Sequence, residues 1–429
     1  MFFLILNIII IYIKCVIKIP FKRYFPQKLT SENLMEELQS NYLSVNFKIG
    51  VPSQQIPFII KMKENPIFIT KKDHPEDIIK FDEKLSKTLN ITKNYFLINS
   101  DINGGYQSYD IFDLGNNIKI NDFSFILADK LNEKAKKISG EIGLIFYTNA
   151  DHRIFESNFL EQLKIRKLIN SFAYGFEYIN EDEGYFIVGN YLHEYDKNYT
   201  EDDFSYIKLG IPQEQTDWEI ELKNVYVNGT NIDDFSEGIQ FQIEYGLILG
   251  TKVYYELIKS SYFDLHKECK NQTFKRFFYY VCDNNINLLD FPVLQFNFFD
   301  TKFNMSFNYN DLFYEFEGKK YFLIVFKNDF LNLKWTFGKP FFKKYFGFFD
   351  KEKKIFGFYQ NKIKPSKNNN NKILIRLLII VIIIAIILAY FMIKFLILIK
   401  NKRKIRANEL QDNYDYIPET VTNPLIKDN

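Results

Sequence analysis

The sequence predicts a mostly β ectodomain, large enough for two lobes and carrying a few helices, followed by one transmembrane helix. Between about Asn41 and Gln360, short segments alternate apolar and polar residues and are broken by Gly, Asn and Asp. Period-two alternation of this kind marks strands with one buried face. Only 156–169 and 250–265 repeat apolar residues at helical spacing. Residues 377–393 carry no charge, and the apolar run continues past Lys394 to Ile399. That length spans a bilayer, with Lys394 near enough to the boundary to reach the headgroups.

Composition narrows the class. The 429 residues are 47% hydrophobic and 18% aromatic, yet mean hydropathy is −0.21, which excludes a polytopic membrane protein. With 46 Phe and 29 Tyr there is ample surface to bury, so the chain is not disordered. Lys and Arg number 55 against 53 Asp and Glu, a net +2. So even a balance implies no nucleic acid or other polyanionic partner.

In chain order, residues 1–13 form a nearly unbroken apolar run before Lys14 and Cys15. It is short for a span and fits the apolar core of a secretory signal peptide, assigned to 1–19. An uncleaved anchor is the alternative, since no basic residue precedes the run and no small-residue cleavage site follows it. The segments YLSVNFKIG (42–50), NNIKINDFSFILA (116–128), EGYFIVGNY (183–191) and WEIELKNVYVNGTNI (218–232) read as strands. Asn228-Gly229 separates two alternating runs and reads as a hairpin turn. Sequons occur at Asn90, Asn198, Asn228, Asn271 and Asn304, compatible with a secreted ectodomain. Cys269 and Cys282 are expected to form a disulfide in an oxidising lumen. A metal site joining His266 to Cys269 is the alternative, but no further ligands lie at suitable spacing, so no metal or cofactor is expected. His74, His152, His193 and His266 are scattered and read as structural or exposed.

Residues 362–372, with PSKNNNNK, read as a stalk; 373–399 as the transmembrane helix; and 400–429 as a tail. Basic residues flank both sides of the span, so the leader decides orientation: the ectodomain is lumenal or extracellular and the tail cytosolic. The expected location is a membrane of the secretory or endolysosomal pathway or the cell surface. Tyr414-Asp415-Tyr416-Ile417 has the spacing of a tyrosine-based sorting signal, with a sorting adaptor as its candidate partner.

Four segments in order carry a family resemblance. NYLSVNFKIGVPSQQIPFII (41–60) resembles the opening strands of pepsin-like aspartic proteases, and residues 139–178 resemble their apolar-apolar-Gly segment, helix and return strand. DWEIELKNVYVNG (217–229) is similar to the start of the second lobe, and 334–358 to the closing strands. Motifs ending at Gly143 and Gly338 match the family's internal duplication. The resemblance implies a bilobal, pepsin-like double-β-barrel ectodomain with lobes at 41–205 and 206–361. It also implies a short pro-segment-like region at 20–40.

The family's chemistry needs two carboxylates sharing one proton, each in an Asp-Thr-Gly loop. Counting along the resemblance, Lys61-Met62-Lys63-Glu64 and Gln242-Ile243-Glu244-Tyr245 stand in those loops. Lys61 and Gln242 hold the catalytic positions, and neither is a carboxylate. The intervals to the two Gly motifs are alike (143 − 61 = 82 and 338 − 242 = 96), so the scaffold is expected to survive. Glu64 and Glu244 are the fallback acids, and an ion pair between Lys61 and Glu244 across the old dyad is a second expectation. Tyr106, in INGGYQSYDIF (102–112), is the best match to the tyrosine near the tip of the family's flap. No G-x-S-x-G, H-E-x-x-H, P-loop or G-x-G-x-x-G is present. The expectation is a catalytically inactive, membrane-anchored member whose cleft binds extended polypeptide. An active, atypical aspartic endopeptidase and a structural surface protein are the alternatives.

Overall fold

A computed structural model of the chain describes residues 16–24, 30, 32–62, 66–72, 79–96, 102–131, 138–144, 158–209, 218–232, 238–299, 303–327, 334–359, 390 and 392–402. The first half supplies strands β1 (Ile17–Arg23), β2 (Leu43–Ile49), β3 (Gln54–Lys61), β4 (Phe68–Thr70), β5 (Asn90–Phe96), β6 (Ile102–Asp113), β7 (Lys119–Leu131), β8 (Gly140–Gly143), β9 (Ala173–Tyr178) and β10 (Glu183–Val188). The second supplies β11 (Phe204–Lys208), β12 (Glu219–Ile220), β13 (Asn224–Val227), β14 (Thr230–Asn231), β15 (Gly238–Phe241), β16 (Ile248–Leu249), β17 (Cys269–Phe274), β18 (Phe277–Asp283), β19 (Leu294–Asn297) and β20 (Asn304–Phe307). It closes with β21 (Phe313–Phe316), β22 (Lys319–Phe322), β23 (Ile324–Lys327), β24 (Lys334–Phe337), β25 (Phe346–Asp350) and β26 (Ile355–Tyr359).

Alternation in the sequence becomes alternation of burial. In β2, Leu43, Val45, Phe47 and Ile49 point into the core while Asn46 and Lys48 face solvent. The phenylalanine surplus fills this core: Phe47 stacks on Phe159 with ring centroids 5.9 Å apart and also meets Phe58 and Phe112. Such offset and tilted pairs add modestly to the area they bury.

Thirteen strands form one sheet in the order β11-β26-β25-β9-β10-β1-β2-β3-β8-β4-β7-β6-β5. The pairing of β25 with β9 joins the end of the chain to the first half. A nine-stranded and a four-stranded sheet build the second half. This is the mostly β, bilobal arrangement expected. The 205/206 lobe boundary falls inside β11.

Helices are few. α1 (Leu34–Gln39) precedes β2; α2 (Phe159–Ile165) and α3 (Lys252–Ser261) fall within the two helical stretches read from periodicity; α4 (Lys339–Lys344) follows β24. Asn158 caps α2 by accepting from the Glu161 N–H at 3.1 Å, and the Thr251 side chain caps α3, satisfying amide groups that a helix start leaves open. α1 and α4 span six residues each, too short for a periodicity to register. The Asn228-Gly229 turn joins β13 to β14, both residues having positive φ (49° and 78°) as such a turn requires. Cys269 and Cys282 are bonded, facing each other across β17 and β18. Cys269 is therefore not a metal ligand, and the His266 ring instead stacks on Tyr262 with Nδ1 on the Tyr262 carbonyl at 2.8 Å.

Ile17 and Ile19, within the 1–19 read as a leader, lie in β1, are 2% and 1% exposed, and pair with β10. Their side chains fill the core, and β1 lies between β10 and β2. Residues 1–15, the stalk, most of the 373–399 span and the tail with Tyr414 to Ile417 lie outside the described residues. Among the described residues no helix is long and apolar enough to cross a membrane. Residues 392–402 are helical, with Met392, Ile393, Phe395, Leu396, Ile397 and Leu398 exposed.

Candidate functional site

Two parallel strand pairs, one per lobe, place the residues singled out by the sequence. β3 runs beside β8 with Lys61 opposite Gly143. β15 runs beside β24 with Phe241 opposite Phe337, which sets Gln242 one step on, toward Gly338. The Gln242 N–H donates to the Phe337 carbonyl at 2.9 Å. The two glycine motifs therefore flank the two degenerate positions in the same way. Gly338 has no room for a side chain: a Cβ there would collide with the carbonyl oxygens of Tyr245 and Leu247.

Lys61 Nζ meets Glu141 Oε2 at 2.7 Å, and both side chains are nearly buried, at 11% and 2% exposure. Glu141 belongs to β8 of the same lobe. Glu244, across from it in the second lobe, accepts from the Met62 N–H through Oε2 at 3.4 Å. The pairing with Glu141 follows from register, since Glu141 stands opposite Ile59 in the strand beside Lys61. The lobes are nevertheless fastened here, by Glu244 on Met62 and by the Ile243 N–H on Met62 Sδ at 3.3 Å. Gln242, 4% exposed, donates from Nε2 to Gln240 Oε1 at 2.6 Å. Tyr42 neighbours this group. Burial raises its phenol pKa, and the Lys61 charge opposes that rise.

Glu64 lies outside the described residues. Tyr106 is within β6, opposite Tyr95 and Leu127 and one pair in from the last β5–β6 pair, Phe96 with Gly105, with its ring 5.0 Å from that of Tyr95. Among the described residues no group of His, Cys, Asp and Glu is arranged to hold a metal.

The second lobe's face of the cleft is covered by part of the region 20–40, which the resemblance reads as pro-segment-like. α1 lies there, with Leu34, Met35 and Leu38 packed against Leu247, Leu249, Phe277, Tyr279 and Val325. Gly246 accommodates it, since a Cβ would overlap the Leu38 carbonyl oxygen. Beyond the helix, Asn41 is fully buried; its N–H donates to the Glu244 carbonyl at 2.6 Å and its Nδ2 to the Ile243 carbonyl at 3.0 Å. Arg23 of β1 donates to the Glu37 carbonyl at 3.2 Å, and Lys275 pairs with Glu36 at 2.8 Å. A cleft of about 580 Å³ remains open beside it, lined by Ser40, Tyr42, Glu244, Tyr245 and Arg276 among others.

A second charged group lies behind α1. Lys339, 5% exposed, faces Glu181 at 3.4 Å and Asp182 at 3.9 Å. Burial, then the neighbouring Arg23 charge, lowers the Lys339 pKa to about 8, with Glu181 and Asp182 opposing. Arg23 is likewise lowered by burial, with Asp182 opposing.

Chemically, this arrangement has no shared proton between two carboxylates at Lys61 and Gln242. An ammonium already paired offers no base for water, and an amide does not titrate. What remains is a groove whose floor pairs Lys61 with Glu141 and Gln242 with Gln240 and whose second-lobe wall holds a helix of the same chain.

The described fold and motifs agree with comparison to known families. The family model for eukaryotic aspartyl protease matches residues 51–361. No curated protein matches the chain significantly. The match covers most of the chain and takes in Lys61, Gln242 and both glycine motifs, so the chain belongs to the eukaryotic aspartyl protease family.

Proposed function

We propose that this member of the family is catalytically inactive and acts as a membrane-anchored polypeptide-binding protein. The observation that carries the reading is the pair of degenerate positions: Lys61 bound to Glu141 and Gln242 bound to Gln240. Peptide hydrolysis on this scaffold needs one carboxylate as base toward water and another as acid toward the carbonyl. Neither position supplies one.

The groove keeps its shape and holds α1 by apolar contact and main-chain hydrogen bonds, which is how grooves of this kind hold peptides. The resident segment 34–41 is thus the first ligand of the second-lobe wall, and an external polypeptide occupies the open part or competes with it. The apolar run at 377–393 supports anchoring, as do the exposed apolar residues of the described helix at 392–402. A secretory-system location, lumenal ectodomain and cytosolic tail go with that reading.

The test is an endopeptidase assay of the intact protein between about pH 3 and 6, with and without a transition-state-analogue inhibitor of the family. No cleavage is expected. Inhibitor-sensitive cleavage that is lost in Glu64→Gln or Glu244→Gln would establish the protein as an atypical endopeptidase. Binding of unstructured peptides, measured on the wild type and on Leu38→Ser, separates a binder from a purely structural surface protein. A binder gains affinity when α1 is loosened, and a structural protein binds in neither form.

A further inference from the structure

The second lobe carries, away from the cleft, a groove of about 440 Å³ walled by Val227, Ile232, Val253, Leu257, Tyr262 and Pro292, with the sequon residue Asn228 on its rim. We infer that this groove is the seat of an N-linked glycan carried by Asn228. The inference rests on the proposed lumenal location of the ectodomain.

Asn228 is exposed, at the tip of the β13–β14 hairpin. Its N–H donates to the Val293 carbonyl at 2.9 Å, and its Oδ1 accepts from the Val293 N–H at 2.8 Å. The side chain is therefore fixed by its oxygen, while Nδ2 has no partner among the described residues. Asn90 is likewise exposed with no side-chain partner among the described residues, but no groove borders it there; the remaining three sequons differ. Asn198 Nδ2 donates to Asp196 at 2.8 Å and Asn271 Nδ2 to the Tyr255 hydroxyl at 3.1 Å. Asn304 borders a cavity of about 790 Å³, but lysines and acids such as Lys339, Lys343, Asp311 and Glu315 line it.

The first sugars of an N-linked glycan are N-acetylhexosamines, which have an apolar ring face of C–H groups and an acetyl methyl. Such faces pack on aliphatic side chains, and Val253, 37% exposed, and Leu257 line the groove beside Asn228. Thr230, Asn231, Ser261 and Asp290 line the same groove and offer polar groups for sugar hydroxyls.

In the covalent step, Asn228 Nδ2 attacks the anomeric carbon of an oligosaccharide carried on a polyisoprenyl diphosphate. A C–N bond forms, the C–O bond to the diphosphate breaks, one Nδ2 proton passes to the transferase, and the lipid diphosphate leaves. Thr230 provides the hydroxyl two residues on that the acceptor sequence requires.

Mass spectrometry of the full chain from its own cells, with the Asn228→Gln and Thr230→Val variants, tests the attachment. A glycopeptide containing Asn228 is expected, and each variant loses that one glycan. Hydrogen exchange before and after enzymatic deglycosylation tests the seat without altering folding during synthesis. Amides of 253–257 are expected to exchange at least about threefold slower with the glycan present. Modification of other sequons with Asn228 bare overturns the inference and leaves the lumenal reading standing. No modification at any of the five overturns both together. A glycan at Asn228 that leaves exchange over 253–257 unchanged overturns the groove as its seat.

Discussion

Replacing Lys61 by Met removes one half of a buried ion pair and leaves the other half in place. The Glu141 carboxylate, 2% exposed, would then stand in a strand whose neighbours Gly140, Ile142 and Gly143 are all buried. Breaking such a pair from one side costs roughly 3–5 kcal/mol, because the remaining charge loses its ammonium while staying out of water. Replacing both, as Lys61→Met with Glu141→Leu, should recover most of that loss, since two apolar groups of similar volume satisfy the space. Urea denaturation of the intact protein in detergent measures all three variants against the wild type. The loss should also depend on pH. In Lys61→Met the folded-state pKa of Glu141 is raised by burial above its unfolded value. The folded state therefore binds the proton more tightly, and stability lost at neutral pH returns as pH falls through the raised value. The reasoning fails if the single variant loses less than about 1 kcal/mol, or if the double variant is no more stable than the single.

Three other consequences are open to measurement. Gly246→Ala drives a Cβ into the Leu38 carbonyl, so overpacking should cost about 1–3 kcal/mol and loosen α1; faster amide exchange over 34–41 than over 252–261 is the readout. Lys339 has a folded pKa of about 8, below the ordinary lysine value of 10.5, so the unfolded state binds more protons between those values. Stability should then rise as pH climbs from about 8 toward about 10, by up to about 3 kcal/mol, and Lys339→Met should abolish that rise in thermal melts. Cys269→Ser with Cys282→Ser opens a loop closed over a separation of 13 residues and should cost about 2–4 kcal/mol, seen as a lower denaturation midpoint.

The fold was legible because its signals are local and repeated. Leu43, Val45, Phe47 and Ile49 announce a half-buried strand wherever their partners lie. The glycine motifs at Gly143 and Gly338 could be matched because backbone contacts force glycine at Gly338. The site was only half legible. Lys61 and Gln242 followed from counting, but their partners depend on register, and register is set by pairing over long distances in sequence. Glu141 did carry a signal, as a lone charge within a buried apolar strand, which demands an opposite charge beside it. α1 carried no periodic signal beyond the pro-segment resemblance of 20–40: six residues cannot show a period, and Leu34, Met35 and Leu38 find their apolar surface more than two hundred positions along the chain.

On the proposed reading, in which Lys61 and Gln242 stand at the family's catalytic positions, their partners argue for replacement rather than decay. A catalytic position that simply decays leaves neighbours adapted to what was lost. Here the neighbours fit what is present: Glu141 answers Lys61, Gln240 answers Gln242, and Gly246 yields to the Leu38 backbone. Restoring the two acids should therefore not restore the enzyme. Lys61→Asp places a second carboxylate beside Glu141 in a buried site, where like charges cannot both ionise and burial raises both pKa values. Gln242→Asp would be followed by Ile243, and Lys61→Asp by Met62, neither of which offers a hydroxyl to orient a carboxylate. α1 would still cover the second-lobe wall. The double revertant is expected to be inactive in the acid endopeptidase assay and less stable at neutral pH than at about pH 4. Adding Glu141→Leu should recover stability without activity. Cleavage by the double revertant at a rate set by its two new acids would mean that the surrounding site is still that of an enzyme, and that Glu141, Gln240 and α1 are bystanders.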